Sequence, residues 1–351
     1  MLEQDTFEEN SLKWPLVGNK QVSDFLFQTL VKRDPAGSYI FLGPDNLGKT
    51  TVAKFFVKSL LCQKGQPASC EQCPSCQQMN HKGEEDSLSA VHSDYYLVKK
   101  EEGKKNISIE QIRDFNKILS MSSFLNSYKT GIIKEAESLS QEAANALLKT
   151  LEEPKRKVVI ILIASNLESV PATLASRSQI LNFYPVSTEE IYDHLLEEHQ
   201  VSRSVAKNIS RLSLGRPALA VKFLEDQEFL GKHRDRAEMF LDSLAEPDAN
   251  SRIKSLNNFL GEKASGQEGA GRALNLIEIW RALARDILLI NHQNKNLIQH
   301  QIFKEKLEKI SERFDNRKSL KLIALLQTAE KQVKENVNPR LAVENILFNL
   351  N

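Results

Sequence analysis

The chain has 351 residues, of which 41% are hydrophobic, 26% are charged and 7% are aromatic. This composition provides enough apolar side chains for a packed core and excludes the collagen, coiled-coil and disordered classes, while the length favours two or three domains over a single compact barrel. The 47 Lys and Arg residues nearly balance the 46 Asp and Glu residues, leaving a net charge of +1, so strong non-specific binding of phosphate by the whole surface is not expected.

Neither export nor membrane insertion is expected from the sequence. The longest unbroken apolar run is Val158–Ala164, far shorter than the ~20 residues that a membrane-spanning helix needs. The first ten residues, MLEQDTFEEN, are acidic and polar and lack the basic start and apolar centre of a secretory signal. We therefore expect a cytoplasmic protein without a membrane partner.

A phosphate-binding loop is predicted near the amino terminus. Residues 39–42 form an apolar run typical of a buried strand, GPDNLGKT follows at residues 43–50, and an amphipathic stretch covers residues 51–61. In such a P-loop the glycines let backbone N–H groups surround phosphate oxygens, the lysine reaches the terminal phosphates and a hydroxyl binds Mg²⁺. The motif leaves open whether ATP or ADP occupies the site. We predict that five residues form it: Gly43, Gly48, Lys49, Thr50 and Thr51.

All four cysteines of the chain lie within residues 62–76, at Cys62, Cys70, Cys73 and Cys76. Four thiolates complete the tetrahedral shell of a structural Zn²⁺, and two-residue spacers let successive ligands face one metal. Two disulfides are the alternative, but a reducing cytoplasm disfavours them. We therefore predict one structural zinc bound by the four sulfurs, with His81 as a weaker substitute ligand.

Four further apolar segments follow at the spacing of a parallel sheet: Tyr95–Val98, 131–133, Val158–Ala164 and 179–183. Continuous rather than alternating apolarity is typical of strands that are covered on both faces. Between the second and third of these segments, Ser140 occupies the N-cap position of a predicted amphipathic helix. The sequence therefore predicts an α/β fold.

Residues 145–154, NALLKTLEEP, closely resemble the signature of bacterial clamp-loader subunits, which are AAA+ proteins of the DNA polymerase III holoenzyme. The GPDNLGKT loop, the cysteine module after the P-loop helix and Ser176-Arg177-Ser178 in place of the family's Ser-Arg-Cys agree with this resemblance. The resemblance is dense over about the first 225 residues. Among these subunits the chain looks most like the delta-prime class, which is related to gamma/tau.

One departure from the active members of the family concerns magnesium. ATPases of this class end a strand with Asp-Glu, in which the Asp supports Mg²⁺ and the Glu polarises the attacking water. This chain has Lys134 and Glu135 there. Because the lysine cation repels Mg²⁺, we expect hydrolysis by this subunit to be crippled. Glu135 either keeps a residual role or is a solvated carboxylate at a strand end.

Other family positions are matched in part. Active relatives carry a sensor arginine three residues after a glycine, and the matching position after Gly215 is Ala218. Ser165 and Asn166, at the end of the predicted 158–164 strand, either contact a phosphate or simply finish a turn. Trp14 belongs to a segment that resembles the family's adenine-side segment, and it is equally a candidate core anchor.

The resemblance implies that Arg177 is an arginine finger that reaches the ATP site of a neighbouring subunit. Such a guanidinium neutralises charge on the transferred phosphoryl group and is worth about 10³ or more in rate. The alternative is an ordinary surface arginine at the end of a short helix. Ser178, which replaces the family's Cys, is small and leaves the reach of the arginine unchanged.

The resemblance also implies a three-part layout. An α/β P-loop AAA+ domain at 1–185 contains the inserted four-cysteine zinc module at 62–76, and a small helical lid domain at 186–240 precedes an all-α collar domain at 241–351. Ser187 and Glu190 form a predicted capping box at the start of the lid.

Two patterns are predicted within the collar. Apolar residues at steps of three and four predict one buried helix face, formed by Leu276, Ile279, Trp280, Leu283, Ile287 and Ile290. Four glycines between Gly261 and Gly271 predict a flexible loop.

Together these features predict a delta-prime-like clamp-loader subunit that does not hydrolyse ATP and supplies Arg177 in trans. Its expected partners are gamma/tau and delta subunits in a heteropentamer, which brings the sliding clamp to primer-template DNA. One alternative is an ATP-hydrolysing gamma/tau-like motor, against which Lys134 speaks. Another is a zinc-stabilised DNA-binding module with a relic P-loop, against which the charge of +1 speaks.

Overall fold

The computed structural model describes residues 14–65, 67–80, 92–101, 103–123, 128–152, 157–261 and 266–350. The described residues divide into two units. The first unit falls within Met1–Glu190 and Arg216–Ala218. The second falls within Ile191–Gly215 and Leu219–Asn351. None of the described helices combines the length and apolarity needed to cross a bilayer.

The described part of the first unit contains a five-stranded parallel sheet. Its strands are β1 Ser38–Leu42, β2 Tyr95–Val98, β3 Lys129–Ile133, β4 Val158–Ala164 and β5 Gln179–Asn182, in the order β2-β3-β4-β1-β5. All pairings are parallel, so the carboxyl ends of β1, β3 and β4 meet at one edge. The predicted strands are confirmed, with bounds that differ by two residues at most.

Helices cover both faces of this sheet, as the continuous apolarity of the strands predicts. In β4, Ile161 and Ile163 belong to the core cluster on one face, whereas Ile160 and Leu162 belong to the cluster on the other. Every residue of β4 is buried. The helices of this unit are α1 Lys20–Lys32, α2 Lys49–Leu61, α3 Pro74–Asn80, α4 Ile109–Ser120, α5 Gln141–Glu152 and α6 Ala172–Ala175.

Both predicted helix starts are confirmed by hydrogen bonds. The backbone N–H of Ala143 donates to Ser140 Oγ at 3.1 Å, directly before the body of α5. Ser187 and Glu190 form the predicted capping box, because each backbone N–H donates to the other's side chain, at 2.9 and 3.1 Å. These bonds satisfy backbone donors that a helix leaves open at its start.

The described remainder of the chain is helical apart from short turns. In the helical core, the ring of Trp280 stacks on that of Phe240 with centroids 4.7 Å apart, and the predicted apolar stripe is buried as expected. The helices are α7 Thr188–His199, α8 Arg203–Leu212, α9 Pro217–Glu225, α10 Gln227–Ala245, α11 Ala249–Leu260, α12 Gly266–Asn291, α13 Lys304–Ser311, α14 Asn316–Lys334 and α15 Pro339–Phe348.

The prediction of a flexible loop from Gly261 to Gly271 is wrong for its second half. Helix α12 begins at Gly266 and includes Gly269 and Gly271, while residues 262–265 lie outside the described ranges. Each glycine costs a helix only about 1 kcal/mol, and burial of the α12 face outweighs that cost. The division into lid and collar domains stays a prediction.

One glycine in the sheet provides a stability test. A Cβ added to Gly131 in β3 would lie 2.2 Å from Phe115 Cζ, and Phe115 is fully buried. We expect Gly131→Ala to lower the free energy of unfolding in urea by about 1–3 kcal/mol, the cost of overpacking a core. Gly231→Ala is the matched control, because nothing lies within 4 Å of its Cβ in α10 and alanine favours the helix. Equal stability of Gly131→Ala and the unchanged protein would contradict this packing.

Candidate functional site

A cavity of about 540 Å³ lies beside the P-loop, at the carboxyl ends of the central strands. This volume falls within the range of roughly 300–1,000 Å³ that ligand pockets have. Four of the five predicted nucleotide contacts line it: Gly48, Lys49, Thr50 and Thr51. The fold therefore brings the P-loop residues together at the sheet edge where parallel α/β proteins bind ligands.

Backbone geometry explains both glycines of the loop. Gly48, with φ 87°, directly precedes α2, whose first backbone N–H groups have no partner within the helix. Gly43 has φ 145°, and a Cβ there would lie 2.3 Å from the carbonyl oxygen of Phe183. The loop therefore presents an electropositive helix start to the cavity, as anion sites do.

Lys49 folds back onto its own loop. Its side chain is 5% exposed, and its ammonium donates to the carbonyl oxygens of Gly43 and Pro44. Burial lowers the pKa of Lys49 from its usual value, and the carboxylates of Asp45 and Glu137 oppose that shift. A bound phosphate would have to draw the ammonium away from these two carbonyls.

The end of β3 carries a lysine on the wall of the cavity. Lys134 lines the cavity, and its backbone N–H donates to Val98 O at 2.9 Å. Glu135 Oε2 lies 2.9 Å from Lys100 Nζ, and the Glu135 side chain is 53% exposed. The end of β3 therefore carries a lysine followed by an acid that is already paired at the surface.

The sequence interpretation missed Glu137. A 3₁₀ turn at Ala136–Ser138 directs this side chain to the cavity, where Oε1 accepts hydrogen bonds from the N–H and Oγ of Ser165 at 3.2 and 2.6 Å. Its Oε2 is buried and has no hydrogen-bond partner among the described residues. The signal was the second acid in Glu135-Ala136-Glu137, directly after a buried strand.

The other candidates near the cavity differ in position. Ser165 lines the cavity, whereas Asn166 finishes a turn, because its Oδ1 accepts from the N–H of Ser169 at 2.9 Å. Ala218 also lines the cavity. The ring of Trp14 packs against that of Phe55 with centroids 5.0 Å apart, as the core-anchor alternative expects.

The four cysteines converge at the end of α2 and the start of α3. Their sulfur atoms all lie within 4.8 Å of one another, and all four are free thiols. Sulfurs around a tetrahedral zinc are about 3.8 Å apart when each Zn–S bond is about 2.3 Å, so the cluster fits this metal. The predicted substitute ligand, His81, lies outside the described residues.

Backbone donors around the cluster also favour thiolates. The backbone N–H of Gln72 and then that of Cys73 lower the pKa of Cys70 to about 6. By contrast, burial raises the pKa of Cys62. A divalent cation would compensate that burial by binding the deprotonated sulfur.

Arg177 lies at the surface between α6 and β5. One guanidinium nitrogen is 2.7 Å from Glu152 Oε1, and another donates to Thr173 O at 3.0 Å. The Arg177 side chain is 37% exposed. Ser178, next along the chain, donates to Leu174 O and lies 2.6 Å from Ser38 Oγ in β1. The short segment is therefore fixed to the sheet while its arginine faces solvent beside one carboxylate.

Known proteins resemble this chain along most of its length. A family model described as "DNA polymerase III, delta subunit" matches residues 18–187. The DNA polymerase III subunit delta' of Bacillus subtilis is 25% identical over 348 residues, which is 97% of this chain and 99% of that protein. The delta' subunit of Haemophilus influenzae is 31% identical over 180 residues, 51% of this chain and 52% of that protein. The chain also aligns with Bacillus subtilis subunit tau at 24% identity over 352 residues, 94% of this chain and 59% of that longer protein.

The two P-loop glycines allow a paired stability test. Alanine at Gly43 meets a backbone carbonyl, whereas a Cβ at Gly48 meets only Leu16 Cδ1 at 3.8 Å. Both have positive φ, which costs alanine about 1–2 kcal/mol. We therefore expect Gly43→Ala to lower the melting temperature more than Gly48→Ala. Equal shifts would contradict the close approach of Phe183.

Proposed function

We propose that this chain, which is a clamp-loader subunit of DNA polymerase III similar to the delta-prime class, does not hydrolyse ATP itself and supplies Arg177 to a neighbouring subunit's ATP site. In this role it is a largely rigid subunit of a heteropentamer with gamma/tau and delta subunits. The complex places the sliding clamp on primer-template DNA in the cytoplasm.

Lys134 is the observation that carries the first half of this proposal. Phosphoryl transfer depends on metal ions that bridge phosphate oxygens and neutralise developing charge. Here Lys134 lines the cavity at the strand end where the supporting acid would stand, and Ala218 stands where active relatives carry the sensor arginine. A gamma/tau-like motor needs both the metal-supporting acid and the sensor arginine, so it is the weaker proposal for this chain.

The surroundings of Arg177 support the second half. The side chain of an arginine finger must be exposed, and its backbone must be held in place. Arg177 is partly exposed, and the next residue, Ser178, is held by its hydrogen bond to Leu174 O. Its ion pair with Glu152 is a surface pair, worth about 0–1 kcal/mol. A triphosphate in a neighbouring site competes well with that weak partner, because bidentate guanidinium–phosphate pairs are stronger than average hydrogen bonds.

The remaining parts of the proposal concern metal and layout. Cys62, Cys70, Cys73 and Cys76 would hold one structural zinc, which has no open position for substrate because four sulfurs complete its shell. The P-loop would hold ATP or ADP. We further propose that residues 186–240 act as a lid and residues 241–351 as the collar that joins the subunits.

Replacing Arg177 tests the finger. We expect Arg177→Ala to slow single-turnover ATP hydrolysis at the neighbouring site of the reconstituted complex by about 10³-fold, because a charge-neutralising group is lost. The unfolding free energy of the lone chain should change by less than about 1 kcal/mol. Arg203→Ala, which removes an exposed arginine at the start of α8, is the matched control. An unchanged hydrolysis rate in the Arg177→Ala complex would remove the finger from the proposal.

Metal analysis tests the cysteine cluster. We expect one zinc per purified chain, and we expect Cys73→Ser to lose zinc and melt at a lower temperature because metal binding contributes folding free energy. His81→Ala is the control and should retain one zinc if the sulfurs alone form the shell. A zinc-free protein with four titratable thiols would disprove the zinc site.

A further inference from the structure

We infer that His92 is a positioning residue of the proposed zinc site, and that it acts through Ser75, which lies between two of the cysteines. This inference rests on the zinc site proposed above. It goes beyond the ligands themselves, because neither His92 nor Ser75 belongs to the cysteine pattern. Residues that hold metal ligands from behind fix the geometry of a site, and their loss typically weakens metal binding by about 10–100-fold.

Ser75 joins the two halves of the cysteine module. It lies in α3 between Cys73 and Cys76 and is 1% exposed. Helix α3 has only seven residues, and isolated helices shorter than about 12 residues are marginal in water. The Oγ of Ser75 donates at 2.8 Å to the carbonyl oxygen of Leu61, the last residue of α2 and the one before Cys62. One hydroxyl therefore ties the helix that carries Cys73 and Cys76 to the chain that leads into Cys62.

His92 makes the second hydrogen bond of this hydroxyl, although the two residues are 17 positions apart. Its Nε2 lies 2.9 Å from Ser75 Oγ, and the backbone N–H of Asp94 donates to its Nδ1 at 3.0 Å. A neutral imidazole has one N–H and one acceptor nitrogen, so Nδ1 is the acceptor and the proton is assigned to Nε2. His92 therefore donates to Ser75, and Ser75 donates in turn to Leu61 O. We call these two consecutive hydrogen bonds the relay.

Burial keeps the His92 ring in the form that the relay requires. His92 is 1% exposed, and burial lowers its pKa, a shift that the carboxylate of Asp94 opposes and the ammonium of Lys129 assists. The ring is therefore neutral at pH 7, and Nδ1 keeps the lone pair that accepts from Asp94.

The relay is anchored in the parallel sheet. Asp94 is fully buried and directly precedes β2. Its carbonyl oxygen accepts from the N–H and Oγ of Thr130 in β3, at 2.9 and 3.0 Å, and its carboxylate accepts from Ser123 Oγ at 2.7 Å. His92 therefore presents its N–H to the cysteine module from a fixed point of the fold, as the positioning of a short ligand-bearing helix requires.

The experiment measures the zinc affinity of the full chain by competition with a chromogenic chelator. We expect His92→Leu, which fills the space without a donor, to weaken zinc binding by about tenfold. His92→Gln, whose amide keeps a donor, should restore most of the affinity. Ser75→Ala removes the whole relay and should weaken zinc binding at least as much as His92→Leu does.

Two further variants separate the relay from general packing. Adding His92→Leu to Ser75→Ala should cause little further loss, because effects that share one interaction are not additive. Ser123→Ala is the matched control and should retain the zinc affinity of the unchanged chain, since it removes a hydrogen bond to Asp94 without touching the relay.

Three results would overturn this inference and leave the zinc site intact. The first is unchanged zinc affinity in His92→Leu. The second is an equal loss in His92→Gln, which would reduce His92 to a packing role. The third is a further tenfold loss when His92→Leu is added to Ser75→Ala, because His92 would then not act through Ser75. An unchanged chain that binds no zinc would instead remove the proposed zinc site, and this inference with it.

Discussion

The parallel pairing of the central strands is the constraint on which the candidate site of this chain depends, because it brings the carboxyl ends of β1, β3 and β4 to one edge of the sheet. The pairing of β3 with β4, and of β4 with β1, brings residues that are far apart in sequence to the same cavity. Lys49 follows β1, Lys134 follows β3 and Ser165 follows β4. A parallel sheet places the carboxyl ends of its strands on one side, so residues that follow three different strands line one cavity.

The proposed role separates two tasks that an active AAA+ subunit combines. In this proposal the P-loop is kept and Lys134 replaces the acid that supports a metal in active subunits, whereas Arg177 sits on a segment that Ser178 fixes to the sheet. The arginine is tied to Glu152 by an exposed ion pair, which holds it weakly enough to be exchanged for a phosphate. Loss of hydrolysis in its own site leaves this outward function untouched.

Much of the fold was predictable because its signals are local. The central strands β1, β3 and β4 are buried along nearly their whole length, so their apolar runs are continuous. Ser140 and Ser187 mark helix starts by hydrogen bonds that span three residues. Glu137 was missed, because its place at the cavity depends on a 3₁₀ turn after a left-handed Glu135 at φ 53°, and its partner Ser165 is 28 residues away. The start of α12 at Gly266 was missed because burial of one helix face overrode the glycine pattern.

Steady-state ATP hydrolysis by the purified lone chain in the presence of Mg²⁺ tests the central claim most directly. The chain and its Lys49→Ala variant should release phosphate at the same background rate, because neither has a site that supports catalytic Mg²⁺. Faster release by the unchanged chain, abolished by Lys49→Ala, would show that the cavity hydrolyses ATP despite Lys134 and would contradict the proposed role.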